Sequence, residues 1–264
     1  MVYYRNKYKC KLAEIWYNNT EIPFEKSDII KYKFVEEIIK NAISIESLFT
    51  IHIDLIKPED LLFSQFKKNT RYEINRAMNK DNIICETYLA STEKNDDKIN
   101  LYMEYYNKFA DSKNRYHLSF TDIEQFYNTN TLCIRRAISA DYSKIFSMHA
   151  YIIADNKSRL LQSSSNFREF ENIEIQKLYA RANRFLHWTD MLYFKNLGLS
   201  IYDLGGWYGG NILKEQILIN KFKESFGGEK IKEFTFFVPV TTKGKFFIFF
   251  RKAIKAVALI KNHV

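Results

Sequence analysis

Leu197-Gly198-Leu199-Ser200-Ile201-Tyr202-Asp203-Leu204-Gly205-Gly206-Trp207-Tyr208-Gly209-Gly210 is the stretch on which the fold turns. Leu199 to Leu204 reads as a short strand, and Gly198 closes the helix predicted around Ile173 to Asn196, where Leu178, Ala182, Leu186, Thr189, Leu192 and Tyr193 fall near one face. All eight glycines lie between 198 and 244, so backbone freedom is concentrated where strand and helix ends meet. Working back toward the N-terminus, Leu132 to Ala137, Ile145 to Ala154 and Arg159 to Ser165 read as three strands, the last two joined by an Asp155-Asn156 turn. A meander, then a helix, then a further strand implies an α/β (α+β) fold. Its sheet is mixed and largely antiparallel, with helices on both faces, and it is neither a bundle nor a sandwich.

Upstream, Phe49, Ile51, Ile53 and Leu55 alternate with polar residues across 45–56, which predicts a half-buried strand stopped by Pro58. Glu59 and Asp60 supply first-turn acids, and an apolar stripe from Leu61 to Ala77 predicts one helix with a basic face of Lys67, Lys68, Arg71 and Arg76. Segment 91–98 has no apolar residue and is where a domain boundary is expected.

At 264 residues the chain can bury an ordinary core without metal or disulfide staples. Cys10, Cys85 and Cys133 are isolated, with no paired spacing and no histidine at ligand distance, which argues against zinc and for a reducing cytosol. The N-terminus lacks the apolar run of a secretory signal. Forty Lys and Arg against 31 Asp and Glu give a net +9, which favours anionic partners: nucleotides, pyrophosphates, RNA or acidic lipid. Neither a GxGxxG after a first strand nor a GxxxxGK[ST] is present, so dinucleotide-binding and P-loop readings drop out. At the C-terminus, Phe246 to Phe250 and Ala253 to Ile260 are broken by Arg251, Lys252 and Lys255, too much charge for a spanning helix. Two readings stand there: a packed strand followed by a helix, or a basic amphipathic segment on anionic lipid.

Leu197 to Gly206, followed by Lys221-Phe222-Lys223-Glu224-Ser225-Phe226-Gly227-Gly228, resembles the closing signature of FemAB-like, peptidoglycan bridge-forming enzymes and related acyltransferases of the GNAT fold. Asn183-Arg184-Phe185-Leu186-His187-Trp188 and the basic helix Phe66 to Ala77 match earlier parts of that pattern, so the resemblance spans about residues 50 to 235. It implies a reduced N-terminal GNAT-like subdomain over 1–95, a GNAT acyltransferase domain over 96–240 and a basic amphipathic segment over 241–264. The implied activity joins an activated acyl group to an amine, with no bound cofactor and with acyl-CoA or aminoacyl-tRNA as donor cosubstrate. The acceptor would be an amino-sugar, nucleotide-sugar or lipid-linked envelope precursor, met in the cytoplasm or at the inner face of the membrane. The helical arm of tRNA users and the Arg/Gln-x-x-Gly-x-Gly/Ala loop of ordinary GNAT enzymes are both absent, so the donor stays open. A silent RNA- or membrane-binding module that keeps the fold is the reading from another class.

Acyl transfer needs a neutral amine, a route for its proton and donors for the developing oxyanion. The resemblance implies Lys223 in that last role, a surface lysine being the alternative. Asp203, at a strand end beside two glycines, either accepts a proton or binds the turn's N–H groups. For the donor, the resemblance implies a place between the strands Arg159 to Ser165 and Leu199 to Leu204. Ser163, Ser164, Ser165, Arg181, Asn183 and Arg184 are its candidates, the arginines adding charge at a helix N-terminus or standing solvated. Lys67, Lys68, Arg71 and Arg76 are candidates for acceptor phosphates, or else a solvated face. Trp207 and Tyr208 are candidates to stack on the acceptor, or to plug the core. His187 reads as a packed histidine, and the direction of His149 is not fixed by its pattern.

Overall fold

The computed structural model describes residues 2–7, 9–17 and 27–250. Among the described residues there are ten strands in a mixed, largely antiparallel arrangement, as the sequence implies. The C-terminal reading over 251–264 lies outside the described residues. Two compact units divide the chain, one of residues 1–50, 206–210 and 230–264, the other of 51–205 and 211–229. The boundary expected at 91–98 falls inside the second unit.

In the first unit, β1 (Val2–Lys7) pairs antiparallel with β2 (Cys10–Trp16), which runs parallel to β3 (Ile29–Val35). The last strand, β10 (Glu229–Pro239), pairs antiparallel with β3. Period-two alternation gives each face its own core: Ala13, Ile15, Ile30, Tyr32, Phe236 and Val238 on one, Cys10, Leu12, Ile29, Phe237 and Ile248 on the other. Ile248 belongs to a helical run at 242–250, so the strand expected at Phe246 to Phe250 is a helix. Its Phe246, Phe249 and Phe250 are exposed while Ile248 is buried, a one-sided burial that a helical turn produces.

β4 (Ile43–Asp54) crosses from the first unit into the second. The single helix expected after Pro58 is two helices, α1 (Glu59–Ser64) and α2 (Lys68–Lys80). They part because the Arg71 guanidinium takes the carbonyls of Ser64 and Phe66 at 2.7 and 2.6 Å, and the Lys67 amide donates to Ser225 O. β5 (Ile83–Leu89), α3 (Asp96–Asp111) and α4 (Phe120–Asn128) lead into the meander β6 (Leu132–Ser139), β7 (Ile145–Ala154) and β8 (Lys157–Ser164). Asp155 and Asn156 have φ of 53° and 60°, the left-handed pair that a two-residue hairpin needs.

α5 (Ile173–Asn196) starts at the side chain of Asn172, which accepts from Glu174 N and Ile175 N, and stops at Gly198 with φ +81°. The chain then re-enters as β9 (Ile201–Trp207), parallel to β8, and continues to α6 (Lys214–Lys223). α5 packs on β5, β6 and β7, with α2 against it, while α3 and α4 lie on β7, β8 and β6. Side chains that alternate along β7 assign these helices to opposite faces: His149 reaches Asp190 of α5, and Ala150 pairs with Gln162, which Tyr102 of α3 bonds at 2.8 Å.

Candidate active site

β8 and β9 pair at Lys157 with Ile201, Ser158 with Tyr202 and Arg159 with Asp203, where the pairing ends. Gly205, two residues further along β9, has φ +70°, and an added Cβ there would lie 2.7 Å from Leu160 O of β8; only glycine fits. At the same level Asp203 is fully buried. Its Oδ2 takes a hydrogen bond from Arg159 at 2.6 Å, His52 Nε2 lies 3.6 Å from that oxygen, and its Oδ1 accepts from the Gly205 amide at 2.8 Å. Asp203 therefore does bind the turn's N–H, and it is also the counter-charge of a buried guanidinium.

Lys223, at the end of α6, is half-buried. Burial pushes its ammonium down to about 8, with Arg159 adding to the shift and Asp203 opposing it. An amine so placed is charged at neutral pH and close to losing its proton above it.

The candidate donor serines separate. Ser164 and Ser165 donate to the β7 carbonyls Met148 O and Phe146 O, at 3.2 and 3.0 Å. Ser163 turns instead to Asn183 Oδ1, at 3.4 Å. Asn183, Arg181 and Arg184 fall in the middle of α5, away from the free N–H groups at its start, and both arginines are ion-paired, Arg184 to α2 and Arg181 to Asp81 at its C-terminal end. Arg181 bonds Asp81 at 2.6 and 3.2 Å, and Arg184 lies 3.1 Å from Glu73. They are thus neither solvated nor at a helix N-terminus. Of the acceptor candidates, Lys67, Lys68 and Arg76 are exposed and Arg71 braces the α1–α2 break. In the first unit Trp207 is half-buried, edge-on to Phe49, with the Lys230 ammonium 3.7 Å from its ring centre; Tyr208 is also half-buried.

Arg135, Tyr151, Asp190 and Tyr202, which the sequence reading did not single out, form a network under α5 together with His149, His187 and Asn183, which it considered. Asp190 is fully buried and accepts from Arg135 Nε at 2.5 Å, from His149 Nδ1 at 2.7 Å and from the Tyr151 hydroxyl at 2.5 Å. A carboxylate with three donors fixes the His149 tautomer, with Nδ1 protonated. Tyr151 contacts the Tyr202 hydroxyl at 2.7 Å, which contacts His187 Nδ1 at 2.6 Å. Burial, the His149 ring, Lys223 and Arg184 all hold His187 well below its usual pKa, so it is packed and neutral. Asn183, His187 and Asp190 recur on one face of α5 at i, i+4 and i+7, the signal from which this network was readable. His149, His187 and Asp190 also offer atoms within 4.8 Å of one another, the spacing of a metal site. The His149 and Asp190 atoms are spent on each other, on Arg135 and on Tyr151, which does not suit a cation.

No family model and no curated protein matches this sequence. Solved structures do resemble it. FemX matches with a TM-score of 0.62 at 11% identity, over 89% of this chain and 83% of that one. L-PGS from Bacillus licheniformis matches with a TM-score of 0.55 at 8% identity, over 91% of this chain and 81% of that one. At such identities the likeness is one of fold: this chain shares the fold of FemX and L-PGS.

Proposed function

We propose that this chain is an N-acyltransferase that moves an acyl group from acyl-CoA to an amino group of a sugar or another cell-envelope precursor. The observation that carries the reading is the buried Asp203–Arg159 pair at the last paired position of β8 and β9, with Gly205 close against Leu160 O. The resemblance puts the acyl donor between these two strands, where an extended chain would find backbone partners. Lys223 supplies the ammonium for the charge that develops on the carbonyl oxygen, its proton held loosely enough to respond to that charge. Asp203 holds Arg159 and the turn at Gly205 in place. The resemblance of Leu197 to Gly206 and Lys221 to Gly228 to the FemAB-like signature, and the fold shared with FemX and L-PGS, support the same class of reaction.

Aminoacyl-tRNA as the donor is the second reading, favoured by the net +9 of the chain. In either case the exposed Lys67, Lys68 and Arg76 suit the phosphates of a nucleotide-sugar or lipid-linked acceptor. The exposed Phe246, Phe249 and Phe250 beside Lys243 and Lys245 suit peripheral contact with anionic lipid at the inner face of the membrane. No helix among the described residues is long and apolar enough to cross a membrane.

The test is transfer from acetyl-CoA to a panel of amino-sugars and nucleotide amino-sugars, read by mass spectrometry for wild type and Lys223→Ala. Loss of product in a variant with unchanged circular dichroism supports the assignment. Equal product from both removes Lys223 from the site.

A further inference from the structure

The helices α3 and α4 cover the face of the sheet opposite α5, and the strand register lays two rows of side chains beneath them. Glu86, Arg136 and Met148 stand side by side across β5, β6 and β7 in one row, and Tyr88, Ile134 and Ala150 form the next. α3 is pinned over β7 and β8, where the Tyr102 hydroxyl bonds Gln162 at 2.8 Å and the Tyr105 hydroxyl donates to Ile145 O at 3.3 Å. Toward β5 the packing is open instead, and Lys98 and Leu101 of α3 roof a cavity of about 330 Å³ floored by both rows.

The polar groups of this wall keep bonding capacity in reserve. Arg136 meets Glu86 side-on, its Nε at 2.7 Å and its Nη2 at 2.6 Å both reaching Oε2. That leaves the outer fork of the guanidinium, Nη1 with the second Nη2 hydrogen, and it leaves Glu86 Oε1; neither is bonded among the described residues. Both side chains are about a third exposed, at 30% and 33%, so the pair is reached by solvent. The Lys98 ammonium lies 5.5 Å from the centre of the Tyr88 ring and is tied to Glu93, which adds positive charge on the α3 side. The rest of the wall is apolar: Leu101 half-buried, Ile134 and Met148 buried. A guanidinium fork takes a carboxylate in two parallel hydrogen bonds, and a carboxylate oxygen takes an ammonium. A ligand with a single charge is drawn to one member of this pair and repelled by the other. A ligand with both charges satisfies the two without breaking the bond between them.

We infer that this cavity is a binding site for a free amino acid with an apolar side chain. Its carboxylate sits on the outer fork of Arg136 beside Lys98, its ammonium on Glu86 Oε1 and its side chain against Leu101, Ile134 and Met148. The site lies on the face of the sheet away from the α5 network and does not rest on the acyltransferase reading.

Calorimetry tests this with leucine and two analogues that each lack one charge: isoamylamine, without the carboxylate, and isocaproate, without the ammonium. Wild type is expected to bind leucine at least about tenfold more tightly than either, the worth of one hydrogen bond to a charged group. Glycine, with both charges and no side chain, should bind more weakly than leucine. Glu86→Gln should lose the preference for leucine over isocaproate, and Arg136→Gln the preference over isoamylamine, each variant keeping the other. Leu101→Trp, which fills the cavity and leaves the ion pair in place, should abolish binding, and circular dichroism checks that each variant is folded. Wild type that binds neither leucine nor phenylalanine at millimolar concentration overturns the inference. Leucine bound no more tightly than its two analogues, or bound equally by wild type, Glu86→Gln and Arg136→Gln, overturns it as well. None of these outcomes bears on transfer from acyl-CoA, so the two readings fail separately.

Discussion

Lys223 and Asp190 show what single residues do here. Lys223 has its pKa lowered from 10.5 to about 8, so the folded state holds its proton less tightly than the unfolded chain does. Stability must then rise with pH between about 8 and 10.5, and the cost of the buried charge is fully felt below 8. Lys223→Met is expected to gain stability over wild type at pH 7, and the gain should shrink as pH approaches 10.5; urea melts at several pH values check this. In 13C-methylated protein the Lys223 resonance should titrate near pH 8 and be missing from Lys223→Arg. Asp190→Ala should cost roughly 3–5 kcal/mol, because it leaves the Arg135 guanidinium, 5% exposed, without its carboxylate. Urea unfolding measures that directly. The family resemblance pointed to Lys223, and the flanking glycines at a strand end pointed to Asp203. Neither announced Asp190 or His149, because the direction of a strand side chain and the inward face of a long helix are settled only when the two meet.

At the scale of elements, the β8–α5–β9 unit carries the account. Its helix, the hairpin turn that leads into β8 and its closing glycine were all legible, because each depends on local chemistry: an apolar helical period, a left-handed Asp-Asn pair and a positive-φ glycine. The helix break at Gln65 to Lys67 was not legible. It is made by the Arg71 guanidinium and by the Lys67 amide on Ser225 O, contacts distant in sequence or invisible to periodicity. The same applies to Arg181 and Arg184, which a linear reading aims at an anion and α2 claims by ion pairs. Gly205→Ala should cost roughly 1–2 kcal/mol for the left-handed backbone alone, and more for the approach to Leu160 O. Because the proposed donor site lies between β8 and β9, pushing them apart at that contact should also cost donor binding beyond the loss of stability. Calorimetry with acetyl-CoA, well below the melting temperature of the variant, separates the two effects.

At the scale of the whole molecule, fold class was readable from the order of elements, and the likeness to FemX extends it over 89% of the chain. Strands β1 to β3 and β10 were not read; β3 and β10 pair across roughly two hundred residues, a partnership that no local pattern announces. The net +9 gives a further prediction. If tRNA binds, its affinity should fall steeply between 50 and 200 mM salt, whereas acyl-CoA, with few phosphates, should show a shallow slope; fluorescence titrations at three salt concentrations distinguish them.

The most direct test of the central claim, that an activated acyl donor binds between β8 and β9, is ligand-induced thermal stabilisation in moderate salt. Purified protein is melted with acetyl-CoA, longer acyl-CoAs, and charged and uncharged tRNA. The account predicts a rise in Tm with one acyl-CoA, greater than with free CoA and absent in Gly205→Ala. A rise with charged tRNA alone would transfer the donor role to aminoacyl-tRNA, and no rise with any of these ligands would contradict the acyltransferase reading itself.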